Sequence, residues 1–253
     1  MLPILSIGRL SIQTSGLIAI LAIWIGFGQI ERYAKRRGLN PDTYSTMIMI
    51  ALIAGVIGAR VAYVVQNANF WQDLTAFVSI SPTMFDPLSG VLVGLLAAFI
   101  YGSRKKLPFW ISLDLFTPGL AVWMIALGLM HLANGDSFGS PAQLPWSIYL
   151  YGAWRHPQQI YETAAALIIA VFIWPLKQQK DAIAGARFLL FSLLSAFARL
   201  FLEYFHGDSA VIGGMIRSAQ ITSLLIVIVS GSLLLWKTKQ YEAGEQKFSE
   251  ESE

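Results

Sequence analysis

The chain alternates between long apolar stretches and short segments rich in Gly, Pro and charged residues. A membrane-spanning helix needs about 20 mostly apolar residues. Seven stretches come close to or exceed this length, and we predict a span at each of them: 12–30, 44–66, 87–103, 111–133, 158–176, 184–206 and 218–236.

The composition indicates that most of the protein surface faces lipid. The 253 residues are 55% hydrophobic and only 13% charged, whereas soluble domains carry about 25% charged residues. Apolar runs of this length favour helices over a transmembrane barrel, whose strands alternate over about ten residues. We therefore predict an all-α polytopic membrane helical bundle, with residues 1–237 as a single bundle domain and 238–253 as a short charged cytoplasmic tail.

Lysine and arginine are distributed unevenly among the loops. Thirteen of the 18 lie after the first, third, fifth and seventh spans, with Arg187 at the start of the sixth span: Arg32, Lys35, Arg36, Arg37, Arg104, Lys105, Lys106, Lys177, Lys180, Arg187, Lys237, Lys239 and Lys247. The opposite side carries Arg9, Arg155 and Arg217, and Arg60 and Arg199 lie within spans. Because cytoplasmic loops concentrate Lys and Arg, we predict that the N-terminus is outside and the C-terminus is cytoplasmic.

This orientation brings the polar residues of the spans together at the outer face of the membrane. Charged side chains inside a membrane are costly and usually line a cavity or face a partner. All three histidines fall on this side, and Arg199, Glu203 and His206 share one helix face at i, i+4 and i+7. The long segment 134–159 on the same side suggests a lid or binding arm. The predicted cluster contains Arg60, His131, Asn134, Gly135, Asp136, His156, Tyr161, Glu162, Arg199, Glu203 and His206.

Several of these residues also have a structural interpretation, which the sequence leaves open. Arg199 and Glu203 would form an ion pair that fixes the sixth span to its neighbours. Glu162 would complement the dipole at a helix N-terminus. His131 would be a hydrogen-bonded residue between helices, and Asp114 would cap or anchor the fourth span.

Other site classes are excluded or lack a motif. The chain has no cysteine, which excludes disulfides, thiolate ligands and a cysteine nucleophile. No HExxH, GxSxG or P-loop motif occurs, so we predict neither a metal nor a cofactor. A nucleic-acid partner is not expected, because no soluble basic domain is present.

Four motifs, in this order and spacing, resemble those of the prolipoprotein diacylglyceryl transferases. They are GARVAYVV at Gly58–Val65, NGDSFG at Asn134–Gly139, RHPQQIYE at Arg155–Glu162 and RLFLEYFHGD at Arg199–Asp208. The resemblance extends over roughly residues 12–237. RHPQQIYE is its most specific part, since the family motif reads Arg-His-Pro-Ser-Gln-Leu-Tyr-Glu.

The resemblance implies transfer of diacylglycerol from phosphatidylglycerol to the lipobox cysteine of a preprolipoprotein signal peptide. It also implies a multi-pass protein of the bacterial plasma (inner) membrane. We expect Arg199 and Arg60 to hold the phosphate and Glu203 to orient Arg199. The thiol proton would go to His131, His156 or His206, because imidazole titrates in the required range. The headgroup pocket would be shaped and lined by Asn134, Gly135, Asp136, Gly139, Tyr161 and Glu162.

The chain also departs from the family pattern. Gly128 and His206 stand where the family carries arginine, His131 stands in place of an asparagine, and the family's His-Gly-Gly reads Leu88-Ser89-Gly90. These replacements motivate one alternative, a relative with altered or lost chemistry that binds lipid or lipoprotein. A separate alternative is a small-solute transporter. Transporter sites usually lie at the midplane between repeats, whereas the charges here are predicted near one interface and the sequence shows no repeat.

Overall fold

A computed structural model describes residues 3–7, 10–67, 85–174, 183–207, 209, 211–212 and 216–250. The cations Arg9, Lys177 and Lys180, and Asp208 at the end of the fourth motif, lie outside the described residues.

The described residues contain seven helices, which confirms the predicted all-α membrane fold. Each helix overlaps one predicted span, and six are long and apolar enough to cross a membrane. The side on which each terminus lies remains a prediction from the loop charges. The helices are α1 (Thr14–Arg36), α2 (Pro41–Asn67), α3 (Pro87–Arg104), α4 (Phe109–Asn134), α5 (Gln158–Ile173), α6 (Ala186–Leu202) and α7 (Ser218–Glu250).

Helix α5 is shorter than the predicted span. Its 16 residues cover about 24 Å at 1.5 Å per residue, against about 30 Å of bilayer hydrocarbon. The helix ends at Ile173 because Trp174 has an extended backbone, with φ −63° and ψ 131°. The next residue in the sequence is Pro175, and a residue before proline is disfavoured in the helical region.

Helix α7 is longer than predicted. It continues beyond position 236 to Glu250, into the segment predicted as a charged tail. The division of the chain into a bundle domain and a tail remains a prediction.

The part of the chain that the structure describes also contains three short antiparallel hairpins, which hydropathy did not predict. Strands β1 (Ile4–Ile7) and β2 (Leu10–Gln13) precede α1, β3 (Ile148–Leu150) and β4 (Ala153–Arg155) lie between α4 and α5, and β5 (Val211–Ile212) and β6 (Ile216–Arg217) precede α7. The middle hairpin pairs Tyr149 with Trp154 and leaves both rings exposed.

The chain divides into two compact units, the second of which comprises Ala34–Ser112. In this unit α2 and α3 pack through small residues. A Cβ added at Gly90 would lie 2.8 Å from the Ala59 Cβ, and one at Gly94 would lie 2.9 Å from the Ala51 carbonyl oxygen. Small residues four apart allow such close backbone approach between membrane helices.

The first unit comprises Met1–Tyr33 and Leu113–Glu253. An apolar core formed by Ala121, Ile169, Ala170 and Ile173 joins α4 to α5. Closer to the end of α4, a Cβ added at Gly128 would lie 3.0 Å from the Thr163 backbone nitrogen. These contacts bring the C-terminal end of α4 close to the first turns of α5.

The buried carboxylate of Asp114 in α4 holds the beginning of α6. It accepts hydrogen bonds from the backbone nitrogens of Gly185 at 2.6 Å and Phe188 at 2.9 Å. The sequence suggested that Asp114 caps or anchors the helix that contains it; these hydrogen bonds anchor α4 to the N-terminus of α6.

Candidate active site

Glu162, on the second turn of α5, connects three helices through its carboxylate. Its Oε2 lies 3.0 Å from His131 Nδ1 on α4. Its Oε1 accepts a hydrogen bond of 3.0 Å from Arg199 Nη1 on α6. The Glu162 side chain is only 14% exposed, whereas those of its partners His131 and Arg199 are 32% and 41% exposed. We call His131, Glu162, Arg199, Glu203 and His206 the Glu162 cluster.

Arg199 lies between two carboxylates. Its Nε is 3.1 Å from Oε2 of Glu203, four residues later in the chain. Glu203 begins a 3₁₀ turn, Glu203–Phe205, that directly continues α6, so this i,i+4 pair persists beyond the end of the α-helix. The ion-pair contacts use Nε and Nη1, and Nη2 has no hydrogen-bond partner among the described residues. The side chain of Arg199 is 41% exposed.

Arg217, in β6, holds the turn that carries Glu203 and His206. Its Nη1 donates to the backbone carbonyls of Glu203 and His206, the latter at 2.9 Å. Ser209 donates its hydroxyl to Oε1 of Glu203. Because Glu203 is 1% exposed, the contacts of Ser209 and Arg199 with its carboxylate stabilise a charge that would otherwise be costly to bury.

His206 is the buried histidine of the Glu162 cluster. Its Nδ1 lies 3.8 Å from Glu162 Oε1, and its Nε2 lies 3.1 Å from the Ser137 hydroxyl. Ser137 adopts a left-handed backbone conformation with φ 55°. This conformation is uncommon outside glycine, and here it occurs in a residue that contacts the cluster.

The turn after α4 contains three predicted binding residues. Asn134 is the last residue of the helix, and its Nδ2 donates to Asp136 Oδ2 at 3.1 Å. Gly135 has φ 86°, a value that favours glycine. The turn is fixed to α5 by Gln159, whose Nε2 donates to the Asp136 carbonyl at 2.8 Å.

Gly139 lies where backbone segments meet closely. It forms an antiparallel bridge with His206, and Arg155 Nη1 donates to its carbonyl at 3.3 Å. A Cβ at this position would lie 2.9 Å from the carbonyl carbon of His156 and 2.6 Å from its Cβ. Only glycine fits here without displacing the backbone.

His156 and Tyr161 belong to a separate aromatic cluster. The Tyr161 hydroxyl accepts a 2.7 Å hydrogen bond from Trp146 Nε1 and lies 3.4 Å from His156 Nδ1. The ring of Phe205 packs against both, with centroids 5.0 Å from His156 and 5.9 Å from Tyr161. In the described part of the chain, His156 has no carboxylate partner comparable with that of His131.

Arg60 lies in the other compact unit. It is 8% exposed, and its guanidinium carbon is 5.4 Å from the ring centroid of Phe85. Its participation in the site remains a prediction.

Sequence reasoning missed several residues around the cluster. Gln159 lies in the most specific motif, RHPQQIYE, and its position there could have identified it as a residue of the site. Arg217 was placed only among the outer cations, because nothing in its local sequence indicates two distant carbonyl acceptors. Ser137 and Ser209 carry no distinguishing pattern.

The arrangement provides three chemical groups: a guanidinium whose Nη2 is unpaired among the described residues, an imidazole, and two carboxylates that hold them in place. A guanidinium suits phosphate recognition, and an imidazole beside a carboxylate suits proton transfer. Among the described residues, no three His, Asp or Glu side chains come together in a way that could hold a metal ion.

Comparison with known proteins supports an enzymatic interpretation. The sequence profile of the prolipoprotein diacylglyceryl transferase family matches residues 3–236. Relatives named phosphatidylglycerol–prolipoprotein diacylglyceryl transferase include one from Trichormus variabilis, 29% identical over 92% of this chain and 89% of the relative. Others are from Halalkalibacterium halodurans, 27% identical over 92% and 84%, and from Finegoldia magna, 24% identical over 96% and 98%. Since the match extends over nearly the whole chain and includes the entire Glu162 cluster, the protein belongs to the prolipoprotein diacylglyceryl transferase family, a family of transferases.

Proposed function

We propose that this protein transfers the diacylglyceryl group of phosphatidylglycerol to the lipobox cysteine thiol of a preprolipoprotein. The family match and the names of the relatives support this substrate pair. The reaction forms a thioether and releases glycerol phosphate. We place the protein in the bacterial plasma (inner) membrane, with the Glu162 cluster towards the outer face as the loop charges predict.

The observation that carries the proposal is the position of Arg199 between Glu162 and Glu203. The two carboxylates fix the Nε and Nη1 side of the guanidinium, while Nη2 remains available in a side chain that is 41% exposed. A donor held in place before the reaction stabilises a phosphate better than a mobile one. Arg199 therefore binds the phosphate of the lipid and stabilises it as a leaving group.

Lipid access follows from the outer surfaces of the helices. Large apolar side chains on α5 and α6 are exposed, among them Phe172, Phe197 and Phe201. In a bilayer such surfaces contact acyl chains, so a phospholipid reaches the protein laterally. In this proposal the turn from Asn134 to Gly139 lines the headgroup pocket together with Tyr161.

The test is reconstitution of the purified protein in liposomes that contain phosphatidylglycerol, with a lipobox peptide added. We expect a diacylglyceryl mass gain on the peptide cysteine, and no gain when serine replaces that cysteine or when phosphatidylethanolamine replaces phosphatidylglycerol. No gain, while an active family member works in parallel, would indicate a relative that only binds. Solute flux without lipid transfer would indicate a transporter.

A further inference from the structure

We propose that His131 accepts the proton of the substrate thiol and that Glu162 is the positioning residue that holds the imidazole for this step. The inference rests on the proposed function and identifies which of the three histidines acts. A thiol with a pKa of about 8.5 is only a few per cent ionised at neutral pH, so the reaction benefits from a base beside it.

The geometry of the pair assigns a role to each ring nitrogen of His131. A carboxylate 3.0 Å from Nδ1 favours a proton on Nδ1, which leaves Nε2 with a free lone pair. Nε2 has no hydrogen-bond partner among the described residues, and the side chain is 32% exposed. A carboxylate also stabilises the imidazolium that forms after proton transfer.

The other histidines fit this role less well. His206 is 5% exposed, and its Nε2 already contacts the Ser137 hydroxyl at 3.1 Å. The ring of His156 packs against Phe205, with centroids 5.0 Å apart, and its Nδ1 lies 3.4 Å from a tyrosine hydroxyl. Only His131 combines an accessible nitrogen with a carboxylate at hydrogen-bonding distance within the described residues.

The same carboxylate connects the base to the phosphate-binding cation. Oε2 of Glu162 faces His131 while Oε1 accepts from Arg199 Nη1. The thiol and the phosphate lie on opposite sides of the glyceryl carbon under attack, so the reaction needs a base and a cation at a fixed separation. One partly buried carboxylate between the two groups maintains that separation.

The thiol proton moves to His131 Nε2, and the sulfur electron pair forms a bond to the glyceryl carbon attached to the phosphate. The carbon–oxygen bond breaks, and its electrons remain on the phosphate oxygen of glycerol phosphate, beside Arg199. His131 then releases its proton to the departing phosphate or to water, which restores the neutral imidazole.

The test compares thiol and selenol substrates in single-turnover assays with His131→Gln. Glutamine retains a donor for Glu162 but cannot accept the proton. A selenol is already ionised at neutral pH and needs no base. We expect His131→Gln to slow transfer to the cysteine peptide by about 10²-fold or more and to change transfer to the selenocysteine peptide by less than about threefold. Transfer to the selenocysteine peptide also shows that the variant is folded.

The matched control is Ser195→Ala, on α6 one turn before Arg199, where the hydroxyl contacts Met124 on α4. It should leave both rates near those of the unmodified protein. Equal losses with thiol and selenol peptides in His131→Gln would show a structural role and overturn the inference, as would full activity with the thiol. If the unmodified protein modifies neither peptide, the proposed function fails and the inference fails with it.

Discussion

The imidazole of His131 and the guanidinium of Arg199 contact different oxygens of the Glu162 carboxylate, each at a distance of 3.0 Å. The two residues come from helices α4 and α6, and the carboxylate comes from α5. Their relative position therefore depends on Glu162 as well as on helix packing. Removing the charge of Glu162 should affect both partners at once.

We predict that Glu162→Gln lowers the single-turnover rate by about 10²-fold or more, because both the base and the cation lose their fixed position. The amide is similar in size but cannot stabilise an imidazolium as a carboxylate does. The rate should be measured with saturating phosphatidylglycerol and lipobox peptide. The double variant with His131→Gln should be little slower than either single variant, since residues that act as a unit are not additive.

The control is Glu245→Gln, an exposed carboxylate on α7 that accepts from the Tyr241 hydroxyl. It should keep the original rate. A Glu162→Gln protein with an unchanged rate would remove Glu162 from the mechanism.

We predict that Gly139→Ala abolishes most of the activity. The new methyl group would lie 2.6 Å from the His156 Cβ and 2.9 Å from its carbonyl carbon, so the backbone that bridges to His206 must move. Gly28→Ala in α1 is the matched control, because a Cβ at Gly28 meets nothing within 4 Å. Both variants should be compared in the transfer assay and in thermal unfolding. Similar activities for the two would show that the turn tolerates displacement.

Hydropathy predicted the helices because backbone N–H and C=O groups in lipid find no water to bond. Long apolar runs therefore form helices, in which these groups bond to each other. The register of a helix then predicted that Arg199 and Glu203 would share a face. The span directions, predicted from the loop charges, placed Glu162 near them at the outer face. These inferences depend on local sequence or on patterns that repeat along one element.

The missed features depend on contacts between distant segments. Asp114 caps a helix that begins 72 residues later in the chain, at Ala186, and Arg217 binds carbonyls of a turn from another element. The hairpins β3–β4 and β5–β6 are too short to produce a readable alternation. The periodicity of apolar and polar residues does not reveal such contacts, because they form only when the helices pack.

We predict that Asp114→Ala lowers the thermal unfolding temperature, because two backbone N–H groups at the beginning of α6 lose their acceptor. Loss of an N-cap interaction costs about 0.5–2 kcal/mol, and burial of the orphaned donors adds to it. Asp114→Asn should cost less, since its side-chain oxygen still accepts one hydrogen bond. Unfolding of the purified protein in detergent, followed by circular dichroism, measures the difference. Equal melting of all three proteins would contradict the capping role.

We predict that Gly94→Val destabilises the unit formed by residues 34–112. A Cβ at Gly94 would already lie 2.9 Å from the Ala51 carbonyl oxygen, and that oxygen belongs to the backbone of α2. The branched side chain must push α2 and α3 apart, and overpacking of this kind costs about 1–3 kcal/mol. Gly102→Ala on the same helix is the control, because its Cβ would meet only the Met47 sulfur, at 3.5 Å. A lower unfolding temperature for Gly94→Val alone is the expected result, whereas an unchanged temperature would show that α2 and α3 do not depend on this close approach.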